Sequence, residues 1–99
     1  MDVIVDLTVS PFGAGLSVSK YIAACHKIID DAGLKSNLHA YGTNIEGDWD
    51  TVFKTVKKCH EVLHDMGVPR ITSSIKVGTR TDKDQSMLDK IESVKSKLE

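Results

Sequence analysis

Residues 41 to 50 read Tyr41-Gly-Thr-Asn-Ile-Glu-Gly-Asp-Trp-Asp50. Gly42 precedes a short strand-like run, Thr43 to Glu46, and Gly47 is expected to stop that strand. Asp48 then offers a cap to a long apolar-periodic helix that begins near Trp49. One acidic residue, Glu46, falls inside the strand. A carboxylate on a rigid strand has its geometry fixed before a ligand arrives, so Glu46 is a candidate binding group.

On the N-terminal side, residues 2 to 10 alternate, with Val3, Val5, Leu7 and Val9 on one parity and Ile4, Asp6, Thr8 and Ser10 on the other. That is the period of a strand with one buried face, ended at Pro11. After the loop Phe12-Gly13-Ala14-Gly15, residues Val18, Tyr21, Ile22, Cys25, Ile28, Ile29 and Ala32 recur at helical spacing. Ser17 or Ser19 is expected to cap this helix, and Gly33 to end it. Lys35 to Tyr41 reads as a second strand, joined at Gly42 to the third.

On the C-terminal side, Val52, Phe53, Val56, Cys59, Val62, Leu63 and Met66 carry the second helix to Gly67. Arg70 to Gly78 alternates as a fourth strand, with Ile71, Ser73, Ile75 and Val77 on the parity facing the helices. A polar linker, Thr79 to Lys83, leads to a third helix with a thin stripe of Met87, Ile91, Val94 and Leu98. The order predicts an α+β fold: a ferredoxin-like β-α-β-β-α-β sandwich, with a four-stranded antiparallel sheet, two helices on one face and an added C-terminal helix. Residues 1–99 are read as one domain.

Such a sheet has one bare face. Parity assigns to it Ile4, Asp6, Thr8, Ser10, Asn37, His39, Tyr41, Asn44, Glu46, Thr72, Ser74 and Lys76. These side chains make specific hydrogen bonds, which favours a face that meets a ligand or another sheet. The narrow stripe of the third helix suits a partner subunit as well as its own domain.

Thirteen basic residues against fourteen acidic ones give a formal charge of -1, leaving no electrostatic footprint for nucleic acid or an anionic membrane. No run approaches the roughly 20 apolar residues that span a bilayer. The N-terminus carries acids rather than a basic flank and apolar core, so it does not read as a signal peptide, and a cytoplasmic location is expected. Cys25 and Cys59 lie in helical stretches and read as reduced core thiols.

His60-Glu61-Val62-Leu63-His64 matches the HExxH pattern of zinc proteases. Its Val62 and Leu63 belong to the core stripe, and no third ligand follows, so no metal site is expected. Gly13-Ala14-Gly15 lies between strand and helix but lacks the spacing and the lysine of nucleotide-binding loops. No nucleophile–base arrangement stands out, and no catalytic residue or cofactor is assigned. Asp6 and Glu46 would form a carboxylate pair if they are neighbours. Arg80 is one of two arginines against eleven lysines, and its planar donor fork suits either an anion or a subunit salt bridge.

Several segments together resemble the thiamine-binding, YkoF-like family of ferredoxin-like proteins, the UPF0045 proteins. They are Ser10-Pro11-Phe12-Gly13, Ser17 to Ala23, Leu38 to Trp49, Cys59-His60-Glu61, Arg70 to Val77, Gly78 to Lys83 and Lys90 to Val94. The pattern departs from the family at Phe12, where a smaller aliphatic residue is common, and at Asn44. The resemblance implies a non-enzymatic protein that pairs into homodimers and commonly tetramers, and that in some members binds thiamine or its hydroxymethylpyrimidine part. On that basis Glu46 is assigned to the pyrimidine edge. Ser10, Thr43, Ser74 and His39 would form the polar rim, Phe12 or Tyr41 would cover a ring face, and Arg80 would complete the set. The alternative is an assembly protein whose polar face serves only to build the oligomer.

Overall fold

The computed structural model describes residues 1–98. Its elements are β1 (Asp2–Phe12), α1 (Ser19–Asp31), β2 (Lys35–His39), β3 (Gly42–Asp48), α2 (Trp49–Asp65), β4 (Arg70–Gly78) and α3 (Met87–Lys95). The sheet runs β2-β3-β1-β4, and every neighbouring pair is antiparallel. This is the predicted ferredoxin-like sandwich, and the alternation of β1 organises it. Val3, Val5, Leu7 and Val9 are buried towards the helices, while Ile4, Asp6, Thr8 and Ser10 are half-buried on the other face. Each helix then turns one stripe onto that inner face: Tyr21, Cys25 and Ile29 from α1, and Val52, Val56, Cys59 and Leu63 from α2. Ile45 of β3 and Val68 complete the buried set.

Helix termini follow local chemistry. The Asp48 carboxylate accepts from the N–H groups of Asp50 and Thr51, so the expected cap of α2 is present. Gly33 and Gly67 follow the two long helices with φ of 74° and 96°, the left-handed turn that ends a helix. The cap of α1 differs from expectation. Val18 holds that position without a side-chain bond, Ser19 is already helical, and the Ser17 and Ser19 hydroxyls face each other at 3.4 Å.

Three strand boundaries also differ. β1 does not stop at Pro11, because Pro11 pairs with Ile71 and Phe12 with Arg70. Beyond Leu7 the strand has lost its β3 neighbour, so a proline without an N–H is tolerated there. β2 ends at His39 rather than Tyr41, and β3 runs through Gly47 to Asp48. Gly47 therefore does not break the strand; it pairs with Val3.

The two helices do not cover the whole inner face. Ile75 and Val77, on the parity expected to be buried, are exposed on the outermost strand. α3 has no buried residue; Leu88, Ile91 and Val94 are exposed along it, and Leu98 just beyond its end. Its start is nonetheless well defined by a reciprocal cap, in which Ser86 Oγ accepts from the Asp89 N–H and the Asp89 carboxylate accepts from the Ser86 N–H. No helix among the described residues is long and apolar enough to cross a membrane.

Candidate functional site

The expected site residues separate into two cavities at opposite ends of β1. Ser10, His39, Tyr41 and Thr43 line a corner cavity of about 330 Å³ between the exposed end of β1, α1 and the β2–β3 turn. Glu46 and Arg80 line an arm cavity of about 710 Å³, between the opposite sheet edge and the segment leading into α3. Phe12 and Ser74 line neither. Phe12 is exposed at the far end of β1, with the Arg70 guanidinium 5.8 Å from its ring centroid. Ser74 is exposed on β4, opposite Thr8. Glu46 is paired with Ile4, six residues along β1 from Ser10, so the two are roughly 20 Å apart in one chain. One small ligand cannot touch both within a single subunit.

The corner cavity arises from a mismatch in strand length. β3 begins at Gly42, opposite the stretch of β1 near Leu7, so the last five residues of β1 run on without that neighbour. The gap is walled by Leu7, Val9, Val18, Ile22, Cys25, Ile29 and Leu38, and rimmed by Thr8, Ser10, His39, Tyr41 and Thr43. An apolar slot with a few placed polar groups is the usual form of a small-molecule site, and this volume lies at the small end of the range. Among the described residues, the hydroxyls of Ser10 and Thr43 have no protein side-chain or backbone partner, whereas Thr8 Oγ donates to the Tyr41 carbonyl at 2.9 Å. Thr43 itself faces the helices and is buried, not on the bare face.

Sequence reasoning did not foresee the cluster that holds this corner. His39 Nε2 lies 2.6 Å from Asp6 Oδ1, and Asn44 Nδ2 donates to the same oxygen at 3.4 Å. The Tyr41 N–H donates to His39 Nδ1 at 3.3 Å. These two partners assign the ring: Nε2 carries the proton and donates to the carboxylate, and Nδ1 accepts. Lys76 stands across from Asp6 on β4. Asp6 therefore pairs with His39 rather than with Glu46, and it braces the turn that closes the cavity. The signal was available in the shared parity of Asp6, His39 and Asn44, but the cross-strand register was not.

Glu46 has a defined protein partner. Its Oε2 accepts from the Met87 N–H at 2.6 Å, so a strand carboxylate holds the first turn of α3. Arg80 is engaged within its own loop: Nε and Nη2 form a two-point contact with Asp82 at 2.5 and 2.8 Å, and Nη1 donates to Gln85 at 2.6 Å. That contact holds the Asp82 carboxyl down to about 2 and raises the guanidinium.

The histidines of the HExxH pattern turn to separate partners. His60 Nε2 is 2.6 Å from Ser73 Oγ on β4, and His64 Nδ1 donates to the Val68 carbonyl at 2.7 Å. Among the described residues, no group of three or more His, Cys, Asp or Glu side chains converges. Cys25 and Cys59 are free and buried, and the Cys59 thiol donates to the Cys25 carbonyl at 3.8 Å. The neighbouring Cys25 thiol, together with burial, pushes the Cys59 thiol well above its ordinary range.

Comparison with known proteins agrees with this architecture. A family model described as thiamine-binding protein matches residues 5–95. The UPF0045 protein sll0230 of Synechocystis is 61% identical over 99 residues, covering 100% of this chain and 82% of that protein. The UPF0045 protein MJ1052 of Methanocaldococcus jannaschii is 36% identical over 93 residues, covering 93% and 91%. A crystal structure of MJ1052 superposes with a TM-score of 0.88 at 32% identity, covering 95% of this chain and 96% of the other. A Bacillus cereus domain of unknown function, at 21% identity and a TM-score of 0.81 over 92% of this chain and 88% of the other, shares the fold. With a family model spanning most of its length and relatives this similar over nearly all of it, the chain belongs to the thiamine-binding protein family, among the UPF0045 proteins.

Proposed function

We propose that this chain is a non-catalytic small-molecule binding protein that takes thiamine, or its hydroxymethylpyrimidine part, in the corner cavity. The observation that carries the reading is the pair of unpartnered hydroxyls lining a largely apolar slot, Ser10 at its rim and the buried Thr43 on its inner wall. A flat aminopyrimidine ring offers both donors and acceptors at its edge, and a hydroxyl can serve either. The family description supports the choice of ligand. His39 and Tyr41 sit on the braced turn, ready to cover the ring without a further ordering cost.

Glu46 enters this reading through a second chain. Within one subunit it is roughly 20 Å from Ser10. Two bare sheet faces laid antiparallel would bring Glu46 of one chain towards the Ser10 end of the other, and its carboxylate would then engage the ring nitrogen and exocyclic amine. Charge-assisted bonds of that kind are worth about 1.5–3 kcal/mol each when shielded from water. In this reading the ligand site lies at an inter-subunit sheet face in a cytoplasmic homo-oligomer, rimmed by Ser10, His39 and Tyr41, with Thr43 on the inner wall of the slot. Phe12, Ser74 and Arg80 fall outside its first contacts.

The bond from Met87 to Glu46 favours a second reading, in which Glu46 serves assembly by fixing α3 and the family pocket has lost its ligand. Isothermal calorimetry with thiamine separates the two. In the binding reading, wild type releases heat, and Ser10→Ala and Thr43→Val each weaken affinity by about 5-fold, the equivalent of about 1 kcal/mol for one lost hydrogen bond. Glu46→Gln weakens it more if the site spans two chains, and leaves it unchanged if one chain suffices. Heat in no sample, from thiamine or from hydroxymethylpyrimidine, would leave the assembly reading standing.

A further inference from the structure

The β2–β3 turn carries a hydrogen-bond chain that depends on one proton. His39 Nε2 donates to Asp6 Oδ1 at 2.6 Å, and the Tyr41 N–H donates to His39 Nδ1 at 3.3 Å. An imidazole has one donor and one acceptor only while it is neutral; an imidazolium has two donors and no acceptor. With a second proton on the ring, Nδ1–H would face the Tyr41 N–H, donor against donor, and one of the two contacts must give way. The Asp6 bond is the shorter, and a charge-assisted bond to a carboxylate is about twice as strong as a neutral one. The ring therefore stays with Asp6, and the Tyr41 amide is the group that moves.

The charges around the ring favour the same outcome. Asp6 of β1 touches His39, and Asn44 of β3 donates to the same oxygen without adding charge. Lys76 of β4 stands across from Asp6, on the side of β1 away from β2. Lys35 of β2 and Glu46 of β3, of opposite sign, pair four residues down their strands from His39 and Gly42. That is roughly 13 Å, beyond a Debye length. On the helix side, Asp30 of α1 bonds to Ser36, whose parity is opposite to that of His39. The exposed Tyr41 phenol is uncharged in acid.

We propose that His39 is an acid-sensitive latch on the corner cavity: its second proton releases the Tyr41 amide, loosens the turn and weakens ligand binding. His39, Ala40, Tyr41 and Gly42 all line the cavity, so loosening them restores an ordering cost that the braced turn avoids. Thr8 still holds the Tyr41 carbonyl at 2.9 Å, so the turn frees its tip without leaving β1. Affinity is full at the higher pH and is lost as pH falls. The effect on affinity rests on the binding reading above; the release of the turn does not.

The test compares the full chain with His39→Gln, which keeps the other three histidines but has no imidazole in the turn. Backbone ¹⁵N relaxation of the ligand-free protein is recorded at about pH 7.5 and about pH 5, the range in which imidazoles change charge. In wild type the order parameters of Ala40 and Tyr41 should fall from about 0.85 to below about 0.6, and in His39→Gln they should not change. Asp6→Asn removes the anion that favours the imidazolium, so it should move the transition to lower pH. By calorimetry, thiamine affinity should fall at least 5-fold more across this range in wild type than in His39→Gln, a comparison in which titration of thiamine itself cancels. Order parameters that stay constant in wild type, or fall equally in His39→Gln, would overturn the latch. A turn that loosens only in wild type while affinity falls equally in both proteins would overturn its link to binding. No heat from thiamine at either pH would strike the binding reading instead, and the relaxation data would still decide the latch.

Discussion

Replacing Gly42 by alanine tests whether the β2–β3 turn is pressed as closely against β1 as the geometry requires. A Cβ at this position would lie 2.5 Å from the Leu7 carbonyl oxygen and 3.0 Å from Thr8 Oγ. Carbon–oxygen contacts ordinarily sit near 3.3 Å, so the turn must retreat by roughly 0.8 Å. Neither neighbour yields easily. Leu7 O is backbone in a strand paired on both sides, and Thr8 Oγ is committed to the Tyr41 carbonyl. Forced overpacking of this kind costs about 1–3 kcal/mol. Alanine recovers about 0.4–1 kcal/mol by restricting the unfolded chain. The net loss is about 1–2 kcal/mol, read as a lower urea midpoint with an unchanged slope, and as a fall in Tm of roughly 5–15 °C. Gly47→Ala is the internal control. Its Cβ would also meet an atom at 2.5 Å, but that atom is Leu34 Cδ2, the tip of a flexible side chain that can rotate away. If Gly42→Ala is as stable as wild type, or no worse than Gly47→Ala, the close approach of turn and strand is not as described, and the corner cavity loses its wall.

Three further outcomes follow from the packing and the charges. Ile45→Ala, at a fully buried position on β3, should cost about 2–5 kcal/mol in urea unfolding, and a loss below 1 kcal/mol would place the core elsewhere. The Asp82 carboxyl is depressed, so the stabilisation that its pairing with Arg80 gives the loop is present above the ordinary carboxylate range and is lost as pH falls towards about 2. Carboxyl NMR should follow that titration, and Arg80→Ala should return the midpoint to near 4. Both native thiols should resist a disulfide reagent in the folded protein and react at once in denaturant, since they are buried and Cys59 is held far above its ordinary range. Rapid labelling of folded protein would contradict their placement.

The parts of the fold legible in the sequence were those set by periodicity. The alternation of Val3, Val5, Leu7 and Val9, the stripes of α1 and α2, and the capping aspartate at Asp48 all repeat a local signal that tertiary structure did not override. What parity could not supply was length and register. Pro11 looked like a stop because a proline cannot sit between two paired neighbours, and here β1 has only one by that point. Ile75 and Val77 share the correct parity for burial yet lie on the outermost strand, beyond the reach of the two helices, a matter of sheet order rather than of pattern.

The candidate site was legible as a set of residues but not as a place. Ser10, His39, Tyr41 and Thr43 do gather at one corner, while Glu46 and Arg80 lie at the other end of the sheet. Strand register decides this, and a single sequence carries no direct reading of it. Glu46 was noticed because it is a carboxylate on a strand. Its bond to Met87 joins residues 41 apart in the chain, a separation no local motif spans. The Asp6–His39 pair was hidden for the same reason, although each residue taken alone belonged to the bare face.

Amide NMR of the isotope-labelled chain, recorded while thiamine is titrated in, tests the binding reading most directly. Saturable shifts at residues 7–11, 38–43 and the facing turn of α1, accompanied by Glu46 reaching in from a second chain, are the predicted outcome. A spectrum that does not move, or shifts centred instead on Arg80 and the start of α3 with residues 7–11 and 38–43 unmoved, would contradict it.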